Sequence, residues 1–260
     1  MKIMNLYNKS GYIFNVKVEC QRIIDWIREW FETNGENCNV VIGISGGKDS
    51  TVIAALCKEA LGADRVIGVL MPNGTQSDIE DAQEVIKLLG IRGITINIQN
   101  AVDELTKEIV VQGLPLTTQA KINLPPRIRM STLYLISQIY NGRVANTCNL
   151  SENIVGYSTR WGDSVGDFCP LADYTATEVV DIGKELGLPS YLVEKTPSDG
   201  LCGQTDEDNL GFTYETLDAL IRYGHGASDE DKMLILNLKN KNTFKQKMPD
   251  KCFSFLPICI

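Results

Sequence analysis

The chain has 260 residues, a net charge of −8, 43% apolar and 22% charged residues. That length allows one substantial core, and no apolar run reaches the ~20 residues of a membrane span. The acidic balance argues against a nucleic-acid partner, which needs a basic face, although it leaves room for a small anion.

The first fifteen residues, MKIMNLYNKSGYIFN, contain no continuous apolar stretch of the kind a secretory signal needs. Apolar positions then recur at helical spacing from Ile23 to Phe31, which predicts an amphipathic helix over 16–32. NVVIGIS (39–45) is expected as a buried strand, and STVIAALCKEALG (50–62) as a helix stopped by Gly62. RVIGVLMP (65–72) is a second strand. A helix over 77–90 follows, with Ser77 and Glu80 spaced as a capping box. ITINIQ (94–99) is a third strand and AVDELTKEIV (101–110) a helix. The stretch 126–141 reads as a helix with Pro126 near its first turn. RVANTCN (143–149) is a fourth strand, SENIVGYS (151–158) begins a helix, and 176–188 is helical again. Segments 164–173 and 198–211 are expected as long loops, the kind that serve as lids or substrate loops.

Strands alternating with helices predict an α/β fold: a doubly wound parallel sheet, Rossmann-like, with helices on both faces. Ligands of such sheets bind beyond the carboxyl ends of the strands. The segments 45–50, 72–76 and 147–152 all follow strands and are expected to share one rim.

The first of these, SGGKDS at 45–50, poses the chemical question. It is not a Walker A loop, because Ile42 and Asp49 stand where glycine and Ser/Thr are required. Nor is it a dinucleotide fingerprint, because Ser45 occupies the second glycine position. What remains is a phosphate cradle of another kind. Gly46 and Gly47 let backbone N–H groups approach an anion, and the helix that follows adds its positive end. Ser45 and Ser50 add hydroxyls, and the carboxylate of Asp49 suits Mg²⁺ rather than phosphate.

SGGKDS after a strand resembles the loop of the ATP pyrophosphatase superfamily, and further motifs resemble the NAD synthetases within it. They are NLPPRIRM (123–130), NTCNLSE (146–152), GYSTRWGDSVGDFCPLADYTATEV (156–179) and KTPSDGLCGQTDEDNLGFTYETLD (195–218). The resemblance covers about residues 16–250. It implies an ammonia-dependent NAD synthetase, in which ATP adenylates the nicotinate carboxylate of deamido-NAD and ammonia displaces AMP. It implies that Gly43, Ile44, Ser45, Gly46, Gly47, Lys48, Asp49, Ser50, Thr147 and Ser198 bind ATP. Asp49 and Glu152 would be the catalytic pair and ligate Mg²⁺. Arg127, Arg160, Asp167 and Lys245 would hold deamido-NAD, in a homodimer with that site at its interface.

The match departs from the family pattern at several positions. Ala176 stands where an ATP-binding lysine is usual, leaving Lys184 and Lys195 as substitute cations. Phe244 replaces a histidine, Asn146 a glycine, Cys148 an aspartate and Arg160 a lysine. His225, the one histidine, lies outside every matched motif and reads as a loop residue. The length predicts a single domain over 1–260 with no fused glutaminase, so nitrogen is expected from free ammonia or a separate glutaminase. Eight cysteines without a C-x-x-C pair exclude a zinc ribbon and suggest thiols in a reducing, cytoplasmic setting. Two alternatives stand beside this reading: another adenylating enzyme of the superfamily, acting for example on tRNA, and a nucleotide-binding module without turnover.

Overall fold

The computed structural model describes residues 11–76, 79–195 and 205–248. Four parallel strands lie in the order β3-β2-β1-β4: β1 (Asn39–Gly43), β2 (Val66–Leu70), β3 (Arg92–Thr95) and β4 (Gly142–Val144). Around them come α1 (Val16–Asn34), α2 (Lys48–Leu61), α3 (Ile79–Leu89), α4 (Gln99–Val111) and α5 (Thr118–Ile139). Then follow α6 (Leu150–Val155), α7 (Ala176–Glu185), α8 (Ser190–Val193), α9 (Asp206–Leu210), α10 (Tyr214–Tyr223) and α11 (Asp229–Asn242).

Side-chain alternation along β1 and β2 divides the core. Val40, Ile42, Val66 and Leu70 face one side with α1, α2 and α7, and Val41, Ile67 and Val69 face the other with Met130, Leu133 and Ile136 of α5. The sheet is therefore covered on both faces, as parallel sheets require. Helix α2 is buried on every side, with Val52, Ile53 and Leu56 fully enclosed. Each such side chain stabilises the packed state by about 1.5–3 kcal/mol, so the helix behind the glycine loop is a fixed support. A third, smaller core joins Val155, Ala176, Leu210, Phe212, Tyr214, Leu217 and Ile235 beyond the carboxyl ends of the strands.

Several boundaries differ from the sequence expectation. Helix α2 starts two residues early, so Lys48 and Asp49 are helical. β3 starts at Arg92, but the N–H groups of Ile96 and Ile98 still donate to the Leu70 and Pro72 carbonyls, prolonging the contact. β4 is short, and an isolated bridge from Ala145 to Phe168 continues it. Helix α5 begins at Thr118, whose predecessor Thr117 caps it, so Pro126 lies well inside the helix with Pro125. The two prolines deprive the Lys121 and Ile122 carbonyls of their helical donors. The expected loop after residue 198 contains α9, and α8, α10 and α11 were not anticipated. Ser77 lies outside the described residues.

Candidate active site

The glycine loop leaves β1 and enters α2 at the carboxyl edge of the sheet. Gly46 has φ +82°, and a Cβ there would stand 2.9 Å from Asp81 Cβ and 3.0 Å from Ala82 N, so the loop is pressed against the first turn of α3. Only glycine combines that backbone with that approach. Inside the loop, Ser45 Oγ accepts from Gly47 N at 3.2 Å and lies 3.2 Å from Ser50 Oγ. Ser50 Oγ donates to the Gly47 carbonyl at 3.1 Å and Thr51 Oγ1 to the same carbonyl at 2.8 Å. Gly47 caps α2 without a side-chain hydrogen bond, so the positive end of a buried helix is free for an anion.

The carboxylates arrive from different elements. Asp49 sits in the first turn of α2 and Glu152 in the first turn of α6. Asn149, fully buried, links them. Its Oδ1 accepts from Glu152 N at 3.0 Å while Glu152 Oε2 accepts from Asn149 N at 3.1 Å, a complete capping box. Its Nδ2 donates to Asp49 Oδ1 at 3.0 Å. Lys48 Nζ reaches Asp49 Oδ2 at 2.7 Å. Burial and then the nearby Asp49 push Glu152 well above the usual carboxylate range, against Lys48 and the Asn149 N–H. Burial would lower the Lys48 ammonium, but Asp49 and Glu152 outweigh it and raise it. Burial beside Asp49 disfavours the charged form of Glu152, and a hard divalent cation at the pair would favour it. Among the described residues no three His, Cys, Asp or Glu side chains form a complete cage. Mg²⁺ needs none, since it takes one or two carboxylates, with water and substrate phosphate filling the rest.

Both carboxylates line a cavity of about 1010 Å³. Its wall includes residues from all three expected rim segments: Lys48 and Ser50, then Asn73, Thr75 and Gln76, and Thr147, Cys148 and Glu152. Of the glycine loop, Gly43, Ile44, Ser45 and Gly47 also line it. Ser198 lies outside the described residues. The unusual residues of the 146–152 segment have work of their own. Asn146 Oδ1 accepts from Cys148 N at 2.9 Å and from the Cys169 thiol at 3.0 Å, and Asn146 Nδ2 donates to the Asp163 carbonyl at 2.8 Å. An amide brace thus shapes this turn.

Ala176 is buried in the third core, its N–H donating to Ser151 Oγ at 3.0 Å. Lys184 is exposed, pairs with Glu194 at 2.6 Å and does not line the cavity. Lys195 lines the cavity and pairs with Asp81 at 2.5 Å.

The four residues expected on deamido-NAD divide. Lys245 lines the cavity and donates to the Gly156 and Ser158 carbonyls at 2.8 and 3.0 Å. Arg127, Arg160 and Asp167 lie outside its lining. Arg127 Nε donates to the Arg160 carbonyl at 3.2 Å. The Arg160 guanidinium lies 5.1 Å from the Trp161 ring centre and 5.3 Å from that of Phe244. Asp167 seals the sheet edge: Oδ2 accepts from Val144 N at 2.7 Å and Oδ1 from Tyr134 OH at 3.2 Å.

Two residues of the site escaped the sequence reading. Asn149 was signalled by its three-residue spacing to Glu152, a capping pattern. Arg129 lines the cavity and donates from Nε to the Met71 carbonyl at 3.0 Å. Burial lowers its pKa, with Asp163 opposing.

The profile of the family described as NAD synthase matches residues 19–249. The chain belongs to the NAD synthase family. An NH(3)-dependent NAD(+) synthetase of Archaeoglobus fulgidus is 38% identical over 242 residues, covering 90% of this chain and 96% of that protein. One from Pyrococcus furiosus is 39% identical over 206 residues, 79% of each. Among solved structures, an NMN synthetase from Francisella tularensis superposes with TM-score 0.85 at 33% identity, over 92% of this chain and 99% of that one. An NH3-dependent NAD synthetase from Campylobacter jejuni gives 0.75 at 30%, over 92% and 100%. The parallel sheet with its glycine loop is thus the fold of NAD synthases, and the tRNA-acting alternative is not favoured.

Proposed function

We propose that the chain is an ammonia-dependent NAD synthetase. The observation that carries this is the junction of the glycine loop with the Asp49–Asn149–Glu152 chain inside one large cavity. The loop N–H groups and the α2 terminus bind the ATP phosphates, joined by Ser45, Ser50 and Thr147. Asp49 and Glu152 would hold Mg²⁺, which when bound would neutralise phosphate charge. The nicotinate carboxylate attacks the α-phosphorus, and pyrophosphate leaves from the loop. Ammonia then attacks the acyl carbon, AMP departs, and the surplus proton is lost from nitrogen. The chain's task is to bring anion to anion, by fixed dipoles and by positioning. Lys245 faces the acceptor. Arg127, Arg160 and Asp167 complete its site across a homodimer, a reading supported by exposed Leu135 and Ile139 on the helix that carries Arg127. The five described cysteines are free thiols, which suits a cytoplasmic setting.

Single-turnover incubation with ATP, Mg²⁺, ammonium and deamido-NAD tests the proposal. Stoichiometric NAD, AMP and pyrophosphate are expected. Intact ATP, with no pyrophosphate, rejects it. A second acceptor belongs in the same experiment. The 0.85 superposition on an NMN synthetase, and the position of three expected dinucleotide contacts outside the cavity, favour trying the deamidated mononucleotide. A higher kcat/KM for it would move the acceptor, not the chemistry.

A further inference from the structure

Four cations line the cavity among the described residues: Lys48, Arg129, Lys195 and Lys245. Arg129 is on the Met71 carbonyl, Lys195 on Asp81, and Lys245 on two carbonyls near α6. Lys48 is the one seated on the carboxylate pair, and its side chain is only 5% exposed.

Each oxygen of Asp49 already accepts one hydrogen bond. Asn149 Nδ2 holds Oδ1, and Lys48 Nζ holds Oδ2. Asn149 cannot leave without opening the capping box of α6, so Oδ2 is the oxygen that a cation can claim. An incoming divalent ion on Oδ2 meets the Lys48 ammonium at the same oxygen, and the two positive charges repel. The displaced ammonium has a restricted path. Its stem starts at the first residue of a buried helix, and the Tyr214 ring closes one side, 5.6 Å from Nζ. The open side is the cavity, where the α2 N-terminus begins. Tyr214 also packs in the cluster that holds Ala176. Tyr214 is thus shared between Lys48 and the core that holds Ala176.

We propose that Lys48 is an exchangeable counter-ion: it occupies Asp49 while the site is empty and passes to the ATP phosphate oxygens when metal and nucleotide load. It thereby supplies the cation that Ala176 does not. The proposal rests on the synthetase reading of the site, since it needs a triphosphate in the cavity. Neither Lys184, outside the cavity, nor Lys195, held by Asp81, has this geometry.

The test uses the full chain and three binding measurements, none of them turnover. Mn²⁺ binding without nucleotide is followed by electron paramagnetic resonance. Binding of a non-hydrolysable α,β-methylene ATP with Mg²⁺, and of AMP, is followed by calorimetry. In Lys48→Met, which keeps the buried stem, Mn²⁺ alone is expected to bind about tenfold tighter, as a repelling positive charge has gone. The ATP analogue with Mg²⁺ is expected to bind at least about tenfold more weakly, with AMP unchanged. Lys48→Arg is expected to hold analogue affinity within a few-fold of wild type. Unchanged Mn²⁺ and analogue affinities in Lys48→Met overturn the proposal and leave the synthetase reading standing. Equal loss of Mn²⁺, analogue and AMP binding also overturns it, because that marks a structural lysine. A wild-type chain that binds no analogue overturns the synthetase reading and this proposal with it.

Discussion

Glu152, proposed here as a metal ligand, also burdens the fold. It is held beside Asp49 by the same capping box that starts α6. Without metal, two carboxyl groups are crowded in a dry corner, and burial and Asp49 both oppose a charge on Glu152. Glu152→Gln keeps a side-chain oxygen for the Asn149 N–H and removes the charge. It is expected to lower kcat/KM by about a hundredfold or more while raising metal-free stability by about 0.5–2 kcal/mol. Steady-state assays and urea unfolding without Mg²⁺ check the two halves, and a loss of both would contradict the charge-crowding account. Asn149→Ala removes a cap and frees Asp49. It is expected to cost about 1–2 kcal/mol and to weaken Mn²⁺ binding, read by unfolding and by electron paramagnetic resonance. Asp49 and Glu152 could be placed from SGGKDS and NTCNLSE because a short motif carries them. Asn149 needed the structure, since what matters is that it reaches Asp49 from a hundred residues away in the chain.

Elements are placed by contacts that leave no room for change. β2 meets α3 at Gly68, where a Cβ would lie 2.3 Å from Ile86 Cδ1 and 2.9 Å from Ile44 Cγ1. Gly68→Ala is expected to destabilise by about 1–3 kcal/mol through overpacking, read as a lower unfolding midpoint with an unchanged m-value. Helix α10 is tied to α6 and α7 by Asp218, which accepts from Ser151 Oγ and, at 2.8 Å, from Thr177 N. Burial raises the Asp218 pKa, although those hydrogen bonds pull it down. The native carboxyl therefore holds its proton more tightly than the unfolded one. Its contribution to stability grows as pH falls from that raised value towards the ordinary carboxylate range, and is lost as pH rises through it. Relative to Asp218→Asn, which does not titrate, the wild type is expected to gain stability between pH 8 and pH 5. Paired thermal melts at the two pH values check this, and a constant difference would refute it. The strand–helix alternation was readable because buried strands and amphipathic helices each carry a period. Helix α11 was not, because Met233-Leu234-Ile235-Leu236 is a block without helical spacing. Helix α5 was shortened by reading Pro126 as a start, whereas the capping hydroxyl of Thr117 lies further upstream.

At the scale of the whole molecule, the cavity gathers residues from Gly43 to Lys245 around one edge of the sheet. A ligand that binds only this assembled form stabilises all of it. ATP with Mg²⁺ at a hundredfold excess over Kd is expected to add about 2.7 kcal/mol, or about 5–10 °C for a chain of this size. ATP or Mg²⁺ alone is expected to shift the melt less, because the carboxylate pair and the glycine loop would be answered separately. Scanning fluorimetry with the four ligand combinations checks this, and equal shifts for ATP and Mg–ATP would remove the carboxylates from nucleotide binding. The α/β architecture was legible at this scale, but the third core was not, since α10 and α11 are recruited to the rim by contacts distant in sequence. That recruitment also matters while the protein is being made. The glycine loop leaves the ribosome first, and roughly 200 residues must follow before Lys245 appears, a delay of about 10–40 s at 5–20 residues per second. A nascent chain at that stage has a phosphate loop but no closed chamber. Closure of the chamber therefore waits on residues made long after the phosphate loop.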